Sequence, residues 1–209
     1  MNITNVPVIY INLERDVEKR KSMESFFFRY GFTSVYRSPG VIVENQPACV
    51  GIAHAFRNAF DLAFSLNADA FLIFEDDIVA RDSFSTMVNI PEDYDAVYLG
   101  VSTWGIQDGI AGEFAVASKT SMEGILRISN MLSGHGILYR NGEYARIVRS
   151  KMDDAIRNRT YQDIEFANTM LFYKVYAFSD PLIYQTSTLP REVTDLNFGD
   201  FLHSTGRLT

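Results

Sequence analysis

This 209-residue chain predicts an α/β domain with a mostly parallel central sheet flanked by helices. Three observations carry the prediction. Short β-branched and aromatic runs, such as residues 6–13 and 96–99, alternate with longer segments whose apolar residues recur at helical spacing, the pattern of βαβ units. Residues 70–74, AFLIF, are apolar throughout and stop abruptly at Glu75, Asp76 and Asp77, as a strand buried on both faces does. The length and a hydrophobic content of 47% suit one domain, 1–209, with a sizeable core.

The first strand is residues 6–13, VPVIYINL. Asp16 can cap the helix after it, Met23, Phe26, Phe27 and Tyr30 form that helix's apolar face, and Gly31 can end it. Arg15, Lys19, Arg20 and Lys21 cluster near its start, as a solvated face or as groups of which one or two approach a ligand phosphate. Residues 34–38 read as a second strand closed by Pro39 and Gly40, and 41–50 as a loop. The clearest helix is 51–66, where Ile52, Ala55, Phe56, Ala59, Phe60 and Ala63 trace one stripe. His54 and Arg57 lie off that stripe on a shared face, with Asp61 in reach of Arg57 at i, i+4. After the central strand 70–74, a short helix is expected from Asp82 and Ser83 to Val88, a turn at 91–95, and a buried strand at 96–99.

Residues 100–122 hold four glycines and the sole tryptophan, Trp104. They read as a long irregular loop of the kind that is usually functional or mobile, and as the place to look for an acceptor. Trp104 serves either the core or the apolar face of a sugar. Ser133, Gly134, His135 and Gly136 lead into a short strand at 137–139. Helices are expected at 141–150 and 160–173. In the second, Asp163 is either the capping-box acid of Thr160 or a catalytic carboxylate at the helix start. Late strands fall at 174–178 and 182–185, and a polar tail from 186 carries His203.

A net charge of −7 without a long basic run excludes nucleic acid as a partner. No apolar stretch approaches the roughly 18 residues of a membrane span. The first residues show no signal-peptide pattern, and Cys49 is the only cysteine, which excludes an internal disulfide and a thiolate metal site. A reducing, cytoplasmic setting is expected. In open α/β sheets the ligand crevice lies beyond the carboxyl ends of the strands, which is where the three acids stand. Like-charge repulsion makes such a cluster costly unless something compensates it. A hard divalent ion with oxygen ligands, Mg²⁺ or Mn²⁺, is the simplest compensation. The plainer alternative is that Asp76 or Asp77 caps a following helix.

Four pieces stand in order: VIYINLERDVEKR, GIAHAFRNAF, FLIFEDDIVA, and SGHGILYRNGEYARIV followed by YQDIEF. Together they resemble glycosyltransferase family 25, the lipopolysaccharide and collagen galactosyltransferase group. Ile11, Asn12, Leu13 and Arg15 match its Ile-Asn-Leu-x-Arg motif. Gly51 and His54 match its Gly-x-x-x-Ser-His helix loosely, with Ala53 where the family usually has serine. Glu75, Asp76 and Asp77 match its acidic triplet, and Gly134 with His135 its Gly-x-His strand. The resemblance spans about residues 6–170 and rests on order and spacing. It looks like that of a virus-encoded or bacterial cytosolic member, such as a capsid-glycosylating transferase of a large DNA virus.

The resemblance implies a GT-A-type nucleotide-binding domain. The implied reaction moves a hexose or deoxyhexose, with inversion, from a nucleotide-diphosphate sugar to a glycan or glycoprotein hydroxyl, with UDP the nucleotide by family habit. Asp77, then Glu75, would contact Mn²⁺ or Mg²⁺, and His203 would complete the metal shell. Asp76 would reach the ribose hydroxyls, Asn12, Leu13 and Arg15 would hold base and ribose, and His54 and Arg57 would approach the same crevice. Asp163 is the implied general base with Glu165 in reserve, Asp180 and Asp195 remaining open. Two other readings stand beside this one. One is a nucleotidyltransferase; the other is a non-catalytic nucleotide-sugar-binding module, hinted at by Ala53.

Overall fold

A computed structural model describes residues 1–186 and 198–209. After a single 3-10 turn the chain runs through β1 (Val8–Asn12), α1 (Val17–Tyr30), β2 (Val35–Pro39), α2 (Ala48–Ser65) and β3 (Ala70–Phe74). Next come β4 (Ile78–Ala80), β5 (Ala96–Tyr98), β6 (Gly105–Gln107), β7 (Ile110–Gly112), β8 (Val116–Lys119) and β9 (Ile125–Asn130). It continues through β10 (Gly136–Arg140), α3 (Glu143–Asn158), α4 (Gln162–Met170), β11 (Val175–Phe178) and β12 (Ile183–Gln185), and the described part closes with a helix at Phe198–Ser204. Among the described residues no helix is long and apolar enough to cross a membrane.

Among the described residues, eight strands form one mixed sheet in the order β2-β1-β3-β10-β5-β11-β9-β8. β10 and β9 run against the other six, so the sheet is mostly parallel by strand direction. Both faces are covered. Alternate residues of a strand point to opposite faces, so Val8, Tyr10, Leu72 and Phe74 pack with Met23, Phe26 and Phe27 of α1 on one side. Ile9, Phe71, Ile73 and Tyr139 pack with α2, α3 and α4 on the other. The apolar stripes read from the sequence are the faces that are buried: Phe56, Ala59, Phe60 and Ala63 of α2 are at most 1% exposed.

Some elements differ from the sequence reading. Asp16 stands at the N-cap of α1 but its side chain makes no capping bond there, whereas Gly31 ends the helix in the left-handed conformation at φ 75°. The helix expected at 82–88 does not form. The backbone there is engaged by the chain's first residues, through Ile3 N–H to Thr86 O and Val88 N–H to Met1 O, each 2.9 Å. Residues 100–122 are not an irregular loop but contain the β6–β7 hairpin and β8. β9 was not anticipated, because its strand state comes from antiparallel pairing with β8 and β11. α3 runs eight residues past the expected end at 150, to Asn158, and α4 spans only Gln162–Met170, with Tyr161 rather than Thr160 at its N-cap.

From β1 the chain leaves over one face through α1 to reach β2, then returns over the opposite face through α2 to reach β3, on the other side of β1. The carboxyl ends of the adjacent parallel strands β1 and β3 therefore open a crevice that neither helix covers, a topological switch point.

Candidate active site

That crevice is a cleft of about 260 Å³ lined by Asn12, Leu13, Asp16 and Lys19 on the β1–α1 side, and by Glu75, Asp76 and Asp77 at the end of β3. Ile11, Gly40, Val41, Gly51, Ile52, Ala55 and Phe56 complete the lining. A Cβ on Gly51 would stand 2.3 Å from the carbonyl oxygen of Val41. Only glycine lets this loop backbone rest on the first turns of α2. A second hollow of about 380 Å³ shares Leu13, Val41, Gly51 and Ile52, and adds Arg15 and Gln46. Leu13 borders both hollows, with Asn12 on the side of the acids and Arg15 on the other.

The three acids, adjacent in sequence, are held differently. Asp76 Oδ2 accepts from Asn12 Nδ2 at 2.6 Å and its Oδ1 from Lys19 Nζ at 3.2 Å. Asn12 is itself fixed by Arg37 of β2, whose Nε donates to Asn12 Oδ1 and whose Nη2 donates to Asn12 O, both at 3.1 Å. Lys19 also stands 3.8 Å from Asp77 Oδ2. Partial burial works against the charge of Lys19, but the carboxylates of Asp77 and Asp76 outweigh it and hold the ammonium above the usual lysine range. Glu75 turns the other way. Its Oε2 accepts from Gln185 Nε2 at 2.6 Å, the same nitrogen that donates to Asp77 Oδ1 at 3.2 Å. Gln162 Nε2 approaches Glu75 Oε1 at 3.5 Å, and Gly134 leaves room for that contact, since a Cβ there would meet Glu75 Oε1 at 3.0 Å. Burial, reinforced by Asp77, Asp163 and Asp76, pushes the Glu75 carboxyl up to about 8.

Asp163 lies in the first turn of α4, close enough to push on Glu75. Thr160 does not fill the cap position of the capping-box reading, since the N-cap of α4 is Tyr161, which makes no side-chain cap bond. Glu165 is buried on the opposite side, raised by burial and facing Lys151 and Asp154 of α3. Asp180 is exposed and paired with Arg81, and Asp195 lies outside the described residues. His54 and Arg57 do not border the cleft. Arg57 donates to Asp153 of α3 at 3.2 Å and lies 3.1 Å from His54 Nδ1, because a helix side that faces α3 cannot also face the crevice. Asp61, the expected partner of Arg57, instead pairs with Arg149. His203 is exposed on the helix Phe198–Ser204, and among the described residues no group of three or more His, Cys, Asp or Glu side chains is gathered to hold a metal.

The donor set nevertheless suits a hard divalent ion. Glu75 Oε2 and Asp77 Oδ1 converge on one point, now taken by the Gln185 amide. Mg²⁺ and Mn²⁺ are commonly held by one or two carboxylates, with substrate phosphates and water as the remaining ligands. Four contributors were missed as site residues at the sequence level: Lys19, Arg37, Gln162 and Gln185. Lys19 was visible within a basic cluster. Gln162 stood inside the quoted YQDIEF piece with no role of its own, Arg37 and Gln185 carry no motif, and the place of all three follows from strand register and helix docking, Arg37 through its pairing with Tyr10.

No family model and no curated protein matches this chain. Among solved structures, a nucleoside-diphosphate-sugar pyrophosphorylase from Vibrio cholerae RC9 is similar at 11% identity and a TM-score of 0.49, over 94% of this chain and 82% of that one. A glycosyltransferase involved in the glycosylation of the major capsid of PBCV-1 is similar at 11% identity and a TM-score of 0.47, over 91% and 96%. A CTP:phosphocholine cytidylyltransferase from Streptococcus pneumoniae follows at 10% identity and a TM-score of 0.43, over 94% and 99%. Likeness at this level assigns no activity and no residue role to this chain.

Proposed function

We propose that this protein is a metal-dependent, inverting glycosyltransferase of GT-A type that takes a hexose or deoxyhexose from a nucleotide-diphosphate sugar, with UDP as the nucleotide, and transfers it to a glycan or glycoprotein hydroxyl. The observation that carries the proposal is the cleft at the β1/β3 switch point, where carboxylates, an ammonium and an apolar depression meet in one place. The apolar depression beside Leu13, Val41 and Ile52 suits a nucleoside, and the acid end suits a diphosphate bridged through a cation.

In this reading Asn12, Leu13 and Arg15 orient the nucleoside, and Asp76, held by Asn12, accepts from a ribose hydroxyl. Glu75 and Asp77 hold the cation. When bound, Mn²⁺ or Mg²⁺ supplies positive charge against a diphosphate that becomes more negative as the glycosidic bond breaks. Lys19 supplies a second positive charge on the same leaving group. Asp163 accepts the proton of the acceptor hydroxyl while that oxygen bonds the anomeric carbon from the side opposite the diphosphate.

The test is product analysis with UDP-sugars and Mn²⁺. Release of UDP, slow in water and faster with an acceptor glycan, supports the proposal; release of pyrophosphate from a nucleoside triphosphate with a sugar phosphate makes the protein a nucleotidyltransferase instead. Asp163→Asn should lower turnover by about 10²-fold or more, the usual weight of a positioned base, while leaving UDP affinity within about twofold. Undiminished turnover in this variant removes Asp163 from the role.

A further inference from the structure

We propose that Gln185 is itself a ligand of the divalent cation, and that cation binding turns its carboxamide so that Oε1 replaces Nε2 between Glu75 and Asp77. The proposal rests on the metal reading above and adds a residue to it. Nε2 of Gln185 donates to Glu75 Oε2 at 2.6 Å and to Asp77 Oδ1 at 3.2 Å. A cation that takes those two oxygens must occupy the place of that amino group. The far end of the same planar group is an oxygen of the type that Mg²⁺ and Mn²⁺ prefer. A rotation about the last side-chain bond exchanges the two ends, and such sp³–sp² torsions are broad and soft.

The backbone does not take part in the exchange. Gln185 pairs with Ile78 in the β12–β4 ladder, and Thr186 N–H donates to Asp77 O at 2.9 Å. Ile183, two residues earlier, is fully buried, and a Cβ on Gly136 would stand 2.3 Å from its Cδ1. The Cα of Gln185 is thus tied to the loop that carries Asp77, and only its side chain can adjust. Gln162 Nε2, at 3.5 Å from Glu75 Oε1, approaches the other oxygen of Glu75 and keeps Oε2 turned toward Gln185. Charge also favours a neutral third ligand. Two carboxylates balance a dication, and a third would repel the incoming diphosphate. Asp76 is engaged by Asn12 and Lys19 instead.

The opposing possibility is that Gln185 only fills the place of the cation and leaves when it arrives. Titration of the full chain with Mn²⁺ alone, following the electron paramagnetic resonance of the free ion, separates the two. A ligand role requires that Gln185→Met, which keeps the side-chain volume without an oxygen, weaken Mn²⁺ binding about tenfold or more. It also requires that Gln185→Glu, which restores an oxygen but no N–H, bind at least as tightly as the wild type. Equal or tighter binding by Gln185→Met overturns the proposal, and Gln185→Ala with a melting-temperature control covers a misfolded Met variant. Asp77→Asn is run in parallel. If it abolishes binding while Gln185→Met does not weaken it, the metal reading stands and the Gln185 role falls. If Asp77→Asn binds as the wild type does, or the wild type binds no Mn²⁺, the metal reading itself fails and takes this proposal with it.

Discussion

Asn12 is buried, yet all its polar atoms have work: Nδ2 holds Asp76 and also donates to Asp16 O at 3.1 Å, while Oδ1 and the carbonyl oxygen receive Arg37. Hydrogen bonds to charged groups contribute about 1.5–3 kcal/mol each. Asn12→Ala removes the donor to Asp76 and the side-chain acceptor for Arg37 together, so a loss of about 2–4 kcal/mol in chemical denaturation is expected. On the proposed function, UDP should raise the melting temperature of the wild type, and that rise should be lost in Asn12→Ala. Ile-Asn-Leu marked this residue in the sequence, but Arg37, 25 positions away, did not announce itself. Two side chains meet there only because β1 and β2 pair in parallel with Tyr10 opposite Arg37. Lys19 was legible as a basic residue near a strand end, and the side on which it faces was not.

Helices and fully buried strands were readable as elements wherever one period dominated. β3 is buried at all five positions, and nine residues of α2 are buried; both were read nearly to their bounds. Strands formed by non-local pairing, β9 above all, were lost because each half of such a ladder is ambiguous without its partner. The approach of the 41–50 loop to α2 is likewise invisible locally. Gly51 reads as a weak helix residue until Val41 is placed on it. Gly51→Ala should therefore cost about 1–3 kcal/mol despite the higher helix propensity of alanine. It should also narrow the cleft and, on the proposed function, raise the KM for the nucleotide sugar more than it lowers kcat. An unchanged or increased melting temperature would show that the loop moves aside freely.

The site as a whole stores charge that the fold must tolerate. Glu75 is raised from the ordinary carboxyl range to about 8, first by burial and then by Asp77, Asp163 and Asp76. Between about 4.5 and 8 the metal-free folded state keeps a proton that the unfolded chain releases. Stability is thus full below the unfolded value and falls as pH rises through that window, by an amount on the order of a few kcal/mol. In chelator, the melting temperature should be higher at pH 6 than at pH 8.5, beyond the change shown by Glu75→Gln. On the metal reading proposed above, Mn²⁺ displaces that proton, so the stabilisation it gives should be larger at pH 8.5 than at pH 6. Opposite trends would mean that Glu75 is ionised in the free protein and that its partners are others.

By itself, the sequence determined that this chain folds as an α/β molecule, that β1 and β3 end in polar groups, and that three carboxylates stand at one strand end. These are local facts, set by residue type and by periods of 2 and 3.6 along a few neighbouring positions. Only the tertiary structure decided which way each acid turns, with Asp76 toward Asn12 and Lys19 and with Glu75 and Asp77 toward Gln185. It also turned His54 and Arg57 toward α3 and Glu165 toward Lys151. The reason is that a helix or strand fixes spacing along its own axis, while its rotation and its neighbours are set by packing against residues far away in the chain.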